Sequence, residues 1–159
     1  MQPRMKKQAL SAEEIVKFLE KEKVGHLATV GPDGPYVIAV NYVVLNDKVY
    51  IHGRKEGGKK YDNLGFDERI CFEVSRDYGY EVGDRPCKTE TIYESAIGRG
   101  RARVLKDEES LTEKVLLAFA KKFAGHLSDP VIAEDKAKIT GIIELSIDEW
   151  TGKHYKKSS

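Results

Sequence analysis

The stretch PYVIAVNYVVLNDKVYIH, Pro35 to His52, decides the fold. Pro35 to Leu45 is long and rich in Val, Ile and Tyr, residue types that fit a pleated, half-buried surface. Asn46-Asp47 is a two-residue break of hairpin type, and Lys48 to His52 resumes the strand pattern. Strands joined this tightly must run antiparallel. Upstream, His26 to Val30 reads as a short strand ahead of the turn Gly31-Pro32-Asp33-Gly34. Downstream, Ile70, Phe72 and Val74 alternate with Cys71 and Glu73 in a strand over Arg69 to Ser75. Tyr93 to Leu105 and Ile139 to Ile147 supply two more.

Helices flank these strands. Ser11 is an N-cap and Glu14 stands at capping-box spacing, with Leu10 and Ile15 placed to form a hydrophobic staple. Ile15, Phe18 and Leu19 make an apolar stripe, and Gly25 suits a helix end, so the first helix is expected over about 11–24. Tyr61 to Phe66 has room for one or two helical turns. Glu108 to Phe123 is a longer helix with Leu111, Val115, Leu116, Ala118 and Phe119 on its core face. Arg76 to Thr91 carries Gly79, Gly83 and Pro86 and reads as a long functional loop. Residues 149–159 read as a polar tail apart from Trp150 and Tyr155. Strands linked mainly by hairpins predict an antiparallel, mainly β (α+β) barrel-like fold rather than a doubly wound one, with residues 1–159 as a single domain.

Composition excludes several classes. The chain has 159 residues, 40% hydrophobic and 33% charged, which is ordinary globular usage. A formal net charge of +1 gives no field for nucleic acid. No apolar run approaches the roughly 20 residues that span a bilayer. Met1 to Gln8 is basic but precedes no apolar segment of signal-peptide type. Two cysteines, Cys71 and Cys87, are too few for a disulfide framework or a zinc site, and a cytoplasmic location with reduced thiols is expected.

The stretch with most chemistry is His52-Gly53-Arg54-Lys55-Glu56-Gly57-Gly58-Lys59-Lys60, which leaves a strand and enters a helix. Glycines let the backbone approach a ligand, helix-start amides face an anion, and Lys59 or Lys60 adds a full charge. A solvated basic loop is the bland alternative. Gly53, Gly58 and Lys59 have P-loop spacing, but Lys60 stands where that motif needs Ser or Thr, and the parallel βαβ context is missing. His26, His52, His126 and His154 show no metal spacing. Ser75 and Ser95 lack the nucleophile-elbow context. Cys71 reads as a core filler, and Cys87 as a loop thiol without an identifiable basic partner. Asn41, the strongly polar side chain of the long strand, and Thr29 are each either exposed edge positions or polar contacts in a cleft. Trp150 either caps the core or reaches a ligand or partner.

Taken together, Gly25-His26-Leu27-Ala28-Thr29, Pro35 to Tyr42, Val49 to Gly53, Gly58-Lys59-Lys60, Asn63-Leu64, Ile70 to Val74, Tyr93 to Gly98 and Trp150 to Lys153 resemble the pyridoxamine 5'-phosphate oxidase-like FMN-binding split barrels, nearest the nitroimidazole-resistance subgroup. The likeness runs from roughly Ser11 to Lys153. It implies a six-stranded antiparallel split barrel with flanking helices, a homodimer, and flavin mononucleotide (FMN) held where two subunits meet. It implies that His52 with Lys60 or Lys59 holds the phosphate, the choice of lysine left open by a loop one residue longer than usual. It places Ala28, Thr29, Val40 and Asn41 along the flavin ring, with Tyr93, Ser95 and Trp150 near the ring or the dimer seam. The activity implied is reduction of a small-molecule acceptor, a nitroaromatic among them. The alternatives are a non-catalytic flavin-binding or electron-transfer module, a pyridoxamine-phosphate oxidase, and a haem protein of the same fold with His52 and His154 as axial ligands.

Overall fold

The computed structural model describes residues 8–55, 57–125, 132 and 139–155. Six strands, β1 (Val24–Gly31), β2 (Gly34–Leu45), β3 (Lys48–Arg54), β4 (Arg69–Glu81), β5 (Glu90–Val104) and β6 (Thr140–Tyr155), close into an antiparallel barrel in the order β1-β2-β3-β6-β5-β4. Alternation along each strand sends Leu27, Tyr42, Ile51, Phe72, Val74, Ala96, Ile143 and Leu145 into the interior. The Tyr42 ring meets the Phe72 ring edge-on, centroids 5.2 Å apart.

Among the described residues, three α-helices close or cover the barrel. α1 (Ala12–Lys21) buries Ile15, Phe18 and Leu19 over one end. Its capping box is complete: the Ser11 amide donates to Glu14 Oε2 at 2.9 Å and the Glu14 amide to Ser11 Oγ at 3.3 Å. α2 (Lys59–Phe66) lies against β1 at the other end, where Tyr61 and Leu64 pack on the core. α3 (Glu109–Ala124) covers the outer side of the wall, burying Val115, Leu116 and Phe119 against Val43, Tyr50 and Ile142. On that wall Glu144 is buried with its oxygens occupied by Lys48, Tyr50 and Arg103 at 2.8–2.9 Å. Burial alone would raise its carboxyl; the three donors outweigh that and hold it at about 2. No helix among the described residues is long and apolar enough to cross a membrane.

The structure redraws some boundaries. α1 stops at Lys21, and Gly25 lies inside β1, where an added Cβ would run into the Phe72 ring. Half of the expected loop from Arg76 to Thr91 is strand: β4 runs on to Glu81, with a register shift between Asp77 and Tyr80, and a short turn of 3-10 helix at Pro86–Lys88 precedes β5. Gly79, at φ 104°, supplies the irregularity that read as a loop. The expected polar tail is strand as far as Tyr155, because β5 pairs with it through Tyr93↔Tyr155. Its face is solvated, so it carries no apolar alternation to read. Cys71 points outward and is half-buried rather than filling the core. His126, residues 1–7 and 156–159 lie outside the described residues.

Candidate functional site

The barrel is split at one seam. β2 pairs with β3 over four positions, Tyr42↔Ile51 to Leu45↔Lys48, and then the two strands part. From Gly34 to Asn41, β2 pairs with β1 alone, so its other edge carries no strand partner among the described residues. Beyond the last pair, β3 continues through His52, Gly53 and Arg54 against β6. The rim of the split is therefore an open backbone edge ending in Val40 and Asn41 on one side and His52-Gly53 on the other. Free strand edges present unpaired amide and carbonyl groups.

α2 brings two lysines to the foot of this split. Gly57 and Gly58 turn the chain with φ of 77° and 113°, values that side-chain-bearing residues rarely adopt. Gly58 is the N-cap and has no side chain to occupy the first amides, while the amides of Tyr61 and Asp62 turn back to its carbonyl. Gly53 and Gly141 face each other across β3 and β6. A Cβ on Gly53 would lie 2.9 Å from Lys60 Nζ and 3.0 Å from the Tyr61 hydroxyl, and one on Gly141 would lie 2.8 Å from that hydroxyl. The paired glycines thus make the space in which Lys60 and Tyr61 stand.

The lysines differ. Lys59 is ion-paired with Asp33 in the β1–β2 turn, and this pairing pulls the Asp33 carboxyl below its ordinary range. Lys60 is half-buried over the Tyr61 ring, 5.0 Å from its centroid, with no carboxylate partner among the described residues. Burial pushes its ammonium below the ordinary 10.5. His52 meets Phe119 edge-on, centroids 4.2 Å apart, and burial followed by the Lys60 charge pushes its imidazole below 6.5. At neutral pH Lys60 supplies the positive charge of this corner, and His52, its pKa depressed, stands as a neutral imidazole that an arriving anion would help to protonate.

The other expected site residues are distributed more widely. Asn41 is exposed, and its Nδ2 donates to the Lys23 carbonyl at 3.0 Å. Val40 belongs to the interior cluster. Ala28 faces outward opposite Val37 and Cys71, one strand from the split. Thr29 is buried and accepts a hydrogen bond from Asn63 at 3.0 Å. Tyr93 and Ser95 lie on β5, opposite Tyr155 and Lys153. Trp150 packs on the core with its ring edge-on to Phe72 at 6.5 Å. The structure thus gathers His52, Lys60, Val40 and Asn41 at one seam, with Lys59 beside it, and leaves Tyr93, Ser95 and Trp150 away from it. His154 lies twelve residues beyond Ile142, which is the residue opposite His52. At strand rise this is a contour of about 40 Å along β6, so the two imidazoles stand at different stretches of that strand's length.

Sequence reasoning missed Tyr61 and Gly141, whose role comes from standing opposite Gly53. It also missed Lys122, on α3. Its Nζ lies 4.1 Å from the Tyr42 ring centroid and donates to the Leu19 carbonyl at 3.2 Å. Burial brings it down to about 8.

Beside the split, the outer face of β1, β2, β4 and β5 is exposed and partly apolar. Val37 is 60% accessible and is joined by Ala28, Val30, Ala39 and Ile97, with His26 paired to Glu73 at 2.9 Å among them. Two cavities lie elsewhere: about 420 Å³ between α1 and the barrel rim, reaching Trp150, and about 470 Å³ at the start of α3. No group of three or more metal-ligating side chains is assembled among the described residues.

A family model for pyridoxamine 5'-phosphate oxidase matches residues 11–154. A search of curated protein sequences finds no match. Among solved structures, a flavocytochrome from Azotobacter vinelandii is 22% identical, with a TM-score of 0.80 over 99% of this chain and 73% of that one. A FAD- and haem-binding protein from Mycobacterium smegmatis is 20% identical, with a TM-score of 0.79 over 95% and 74%. A protein from Bacteroides thetaiotaomicron assigned to 5-nitroimidazole antibiotic resistance is 20% identical, with a TM-score of 0.75 over 91% and 85%. At these identities the likeness shows the split-barrel fold.

Proposed function

The chain belongs to the pyridoxamine 5'-phosphate oxidase family, and from that premise we propose that it is an FMN-binding flavoprotein that reduces a small acceptor, with the flavin held between two copies of the chain. The observation that carries this reading is the split corner: an open edge of β2 facing His52-Gly53, with Lys60 standing unpaired by any described carboxylate at its foot. A mononucleotide's dianionic phosphate fits Lys60, His52 and the uncapped amides of α2. The flavin ring has polar edges that match free backbone groups of β2, and an apolar plane that matches the outward Ala and Val side chains. Lys60 rather than Lys59 is the phosphate ligand, because Lys59 is already engaged by Asp33.

When bound, flavin supplies the redox chemistry, accepting and passing electrons as hydride or singly. The chain's own part is to bind the phosphate, orient the ring along the β2 edge and shield one side of it. A single barrel leaves the corner open, and the apolar outer face of β1 and β2 is the surface on which a second copy closes it. The names of the similar structures (a flavocytochrome, a FAD- and haem-binding protein and a nitroimidazole-resistance protein) support a flavin, while the choice of FMN rests on the single phosphate corner.

The test is titration of the flavin-free chain with FMN, followed by anaerobic mixing of the reduced complex with a nitroaromatic. Saturable reoxidation supports the oxidoreductase. Slow reoxidation that does not saturate points to an electron-transfer module, and failure to bind FMN removes the reading.

A further inference from the structure

We propose that Asn63 and Thr29 form a buried latch that sets the position of α2, and so of Lys60, making both positioning residues for the phosphate; this rests on the phosphate reading above. α2 is a short helix whose buried residue is not apolar. Asn63 is 0% accessible, and its Nδ2 donates to Oγ1 of Thr29, itself 2% accessible, at 3.0 Å. Oδ1 of Asn63 has no hydrogen-bond partner among the described residues. Gly31, two residues after Thr29, makes the approach possible, because a Cβ there would overlap the Asn63 amide.

Apolar contact is non-directional and lets a short helix slide or roll on the surface it covers. A buried hydrogen bond, in contrast, has one geometry. Asn63 lies three residues after Lys60, on the same side of α2. The bond from Asn63 to β1 therefore fixes the axial and rotational setting that presents Lys60 to the space left by Gly53 and Gly141. An apolar residue at 63 would bury without an orphaned oxygen. The polar choice, with its unsatisfied atom, is what a site needing precise placement retains.

The experiment compares dissociation constants for FMN and for riboflavin, which lacks the phosphate, in the full chain and in T29V, T29S and N63L. The latch predicts that the wild type prefers FMN, that T29V and N63L lose roughly fivefold or more of that preference, the scale of one net hydrogen bond, and that T29S keeps it. Equal weakening of both flavins, or a ratio within about twofold of wild type in T29V and N63L, overturns the latch. Should neither variant fold, amide exchange decides: the latch predicts that the amides of α2 are protected as strongly as those of β1, and exchange like a frayed helix overturns it. A wild-type chain without preference for FMN fails the phosphate reading itself, before any variant is compared.

Discussion

The two ends of the barrel are closed by helices that obey opposite rules. At the α1 end each local preference is satisfied. A complete capping box opens the helix, Glu13 and Glu14 stand at its positive end and Lys21 at its negative end, and Ile15, Phe18 and Leu19 enter the core. The Tyr42 hydroxyl donates to the Leu19 carbonyl at 2.8 Å, meeting one of the helix's last acceptors. At the α2 end most of these preferences are broken, although Asp62 stands in the first turn. The helix starts after two left-handed glycines, has no side-chain cap, places two lysines at its positive end and buries an asparagine. One end contributes stability; the other holds Lys60 without a described carboxylate partner, beside a Lys59 that Asp33 engages. Consistent local rules mark the scaffold, and their concentrated violation marks the site.

This contrast can be broken by substitution. The largest effect is expected from F18A, which empties a core position and should cost about 3–5 kcal/mol in chemical denaturation, with FMN affinity of the folded fraction unchanged. A parallel loss of flavin binding would mean the two ends are coupled. Next is K60A, which should weaken FMN by about 1.5–3 kcal/mol, the range for hydrogen bonds to charged groups, while the melting temperature holds, since no described carboxylate loses a partner. K59A should change FMN affinity far less. Equal effects from the two lysines would erase the distinction drawn from Asp33. S11A should cost about 1 kcal/mol through the lost cap, read by denaturation, again without effect on flavin.

The smallest effect concerns His52. Its folded-state pKa lies below 6.5, so the unfolded chain takes up the proton more readily. Its contribution to stability is therefore present above pH 6.5 and is lost as the pH falls through the folded value. Proton NMR of the ring should give a midpoint below 6.5 in the flavin-free protein and a higher one once inorganic phosphate or FMN neutralises Lys60. An unmoved midpoint would place the anion elsewhere.

What the sequence made legible follows from how local each signal is. The capping box of α1 and the hairpin from Pro35 to His52 depend on neighbours within a few residues, and both appear as read. The continuation of β6 to Tyr155 does not, because its partner is Tyr93 of β5, and solvated faces leave no apolar alternation. The extent of the β4–β5 hairpin was hidden by Gly79, Gly83 and Pro86, which mark a loop by composition, although only Gly83 and Pro86 lie in the connection and Gly79 sits at an irregularity inside β4. At the site, His52, Lys59 and Lys60 stood out as a local motif. Choosing between the lysines needs three dimensions: adjacent helical residues point about 100° apart, so Lys60 meets Gly53 while Lys59 meets Asp33. The split itself leaves no local sequence signature, since it is the absence of a partner, among the described residues, along one edge of β2 from Gly34 to Asn41. Thr29 was legible as an ambiguous polar residue, and only its bond to Asn63 shows that it faces inward.

The most direct test is native mass spectrometry of the purified chain with FMN supplied in excess and then removed by buffer exchange. The split-corner account predicts a two-chain particle retaining two flavin mononucleotides, and loss of both on K60A substitution. A single-chain particle with no retained flavin would contradict it.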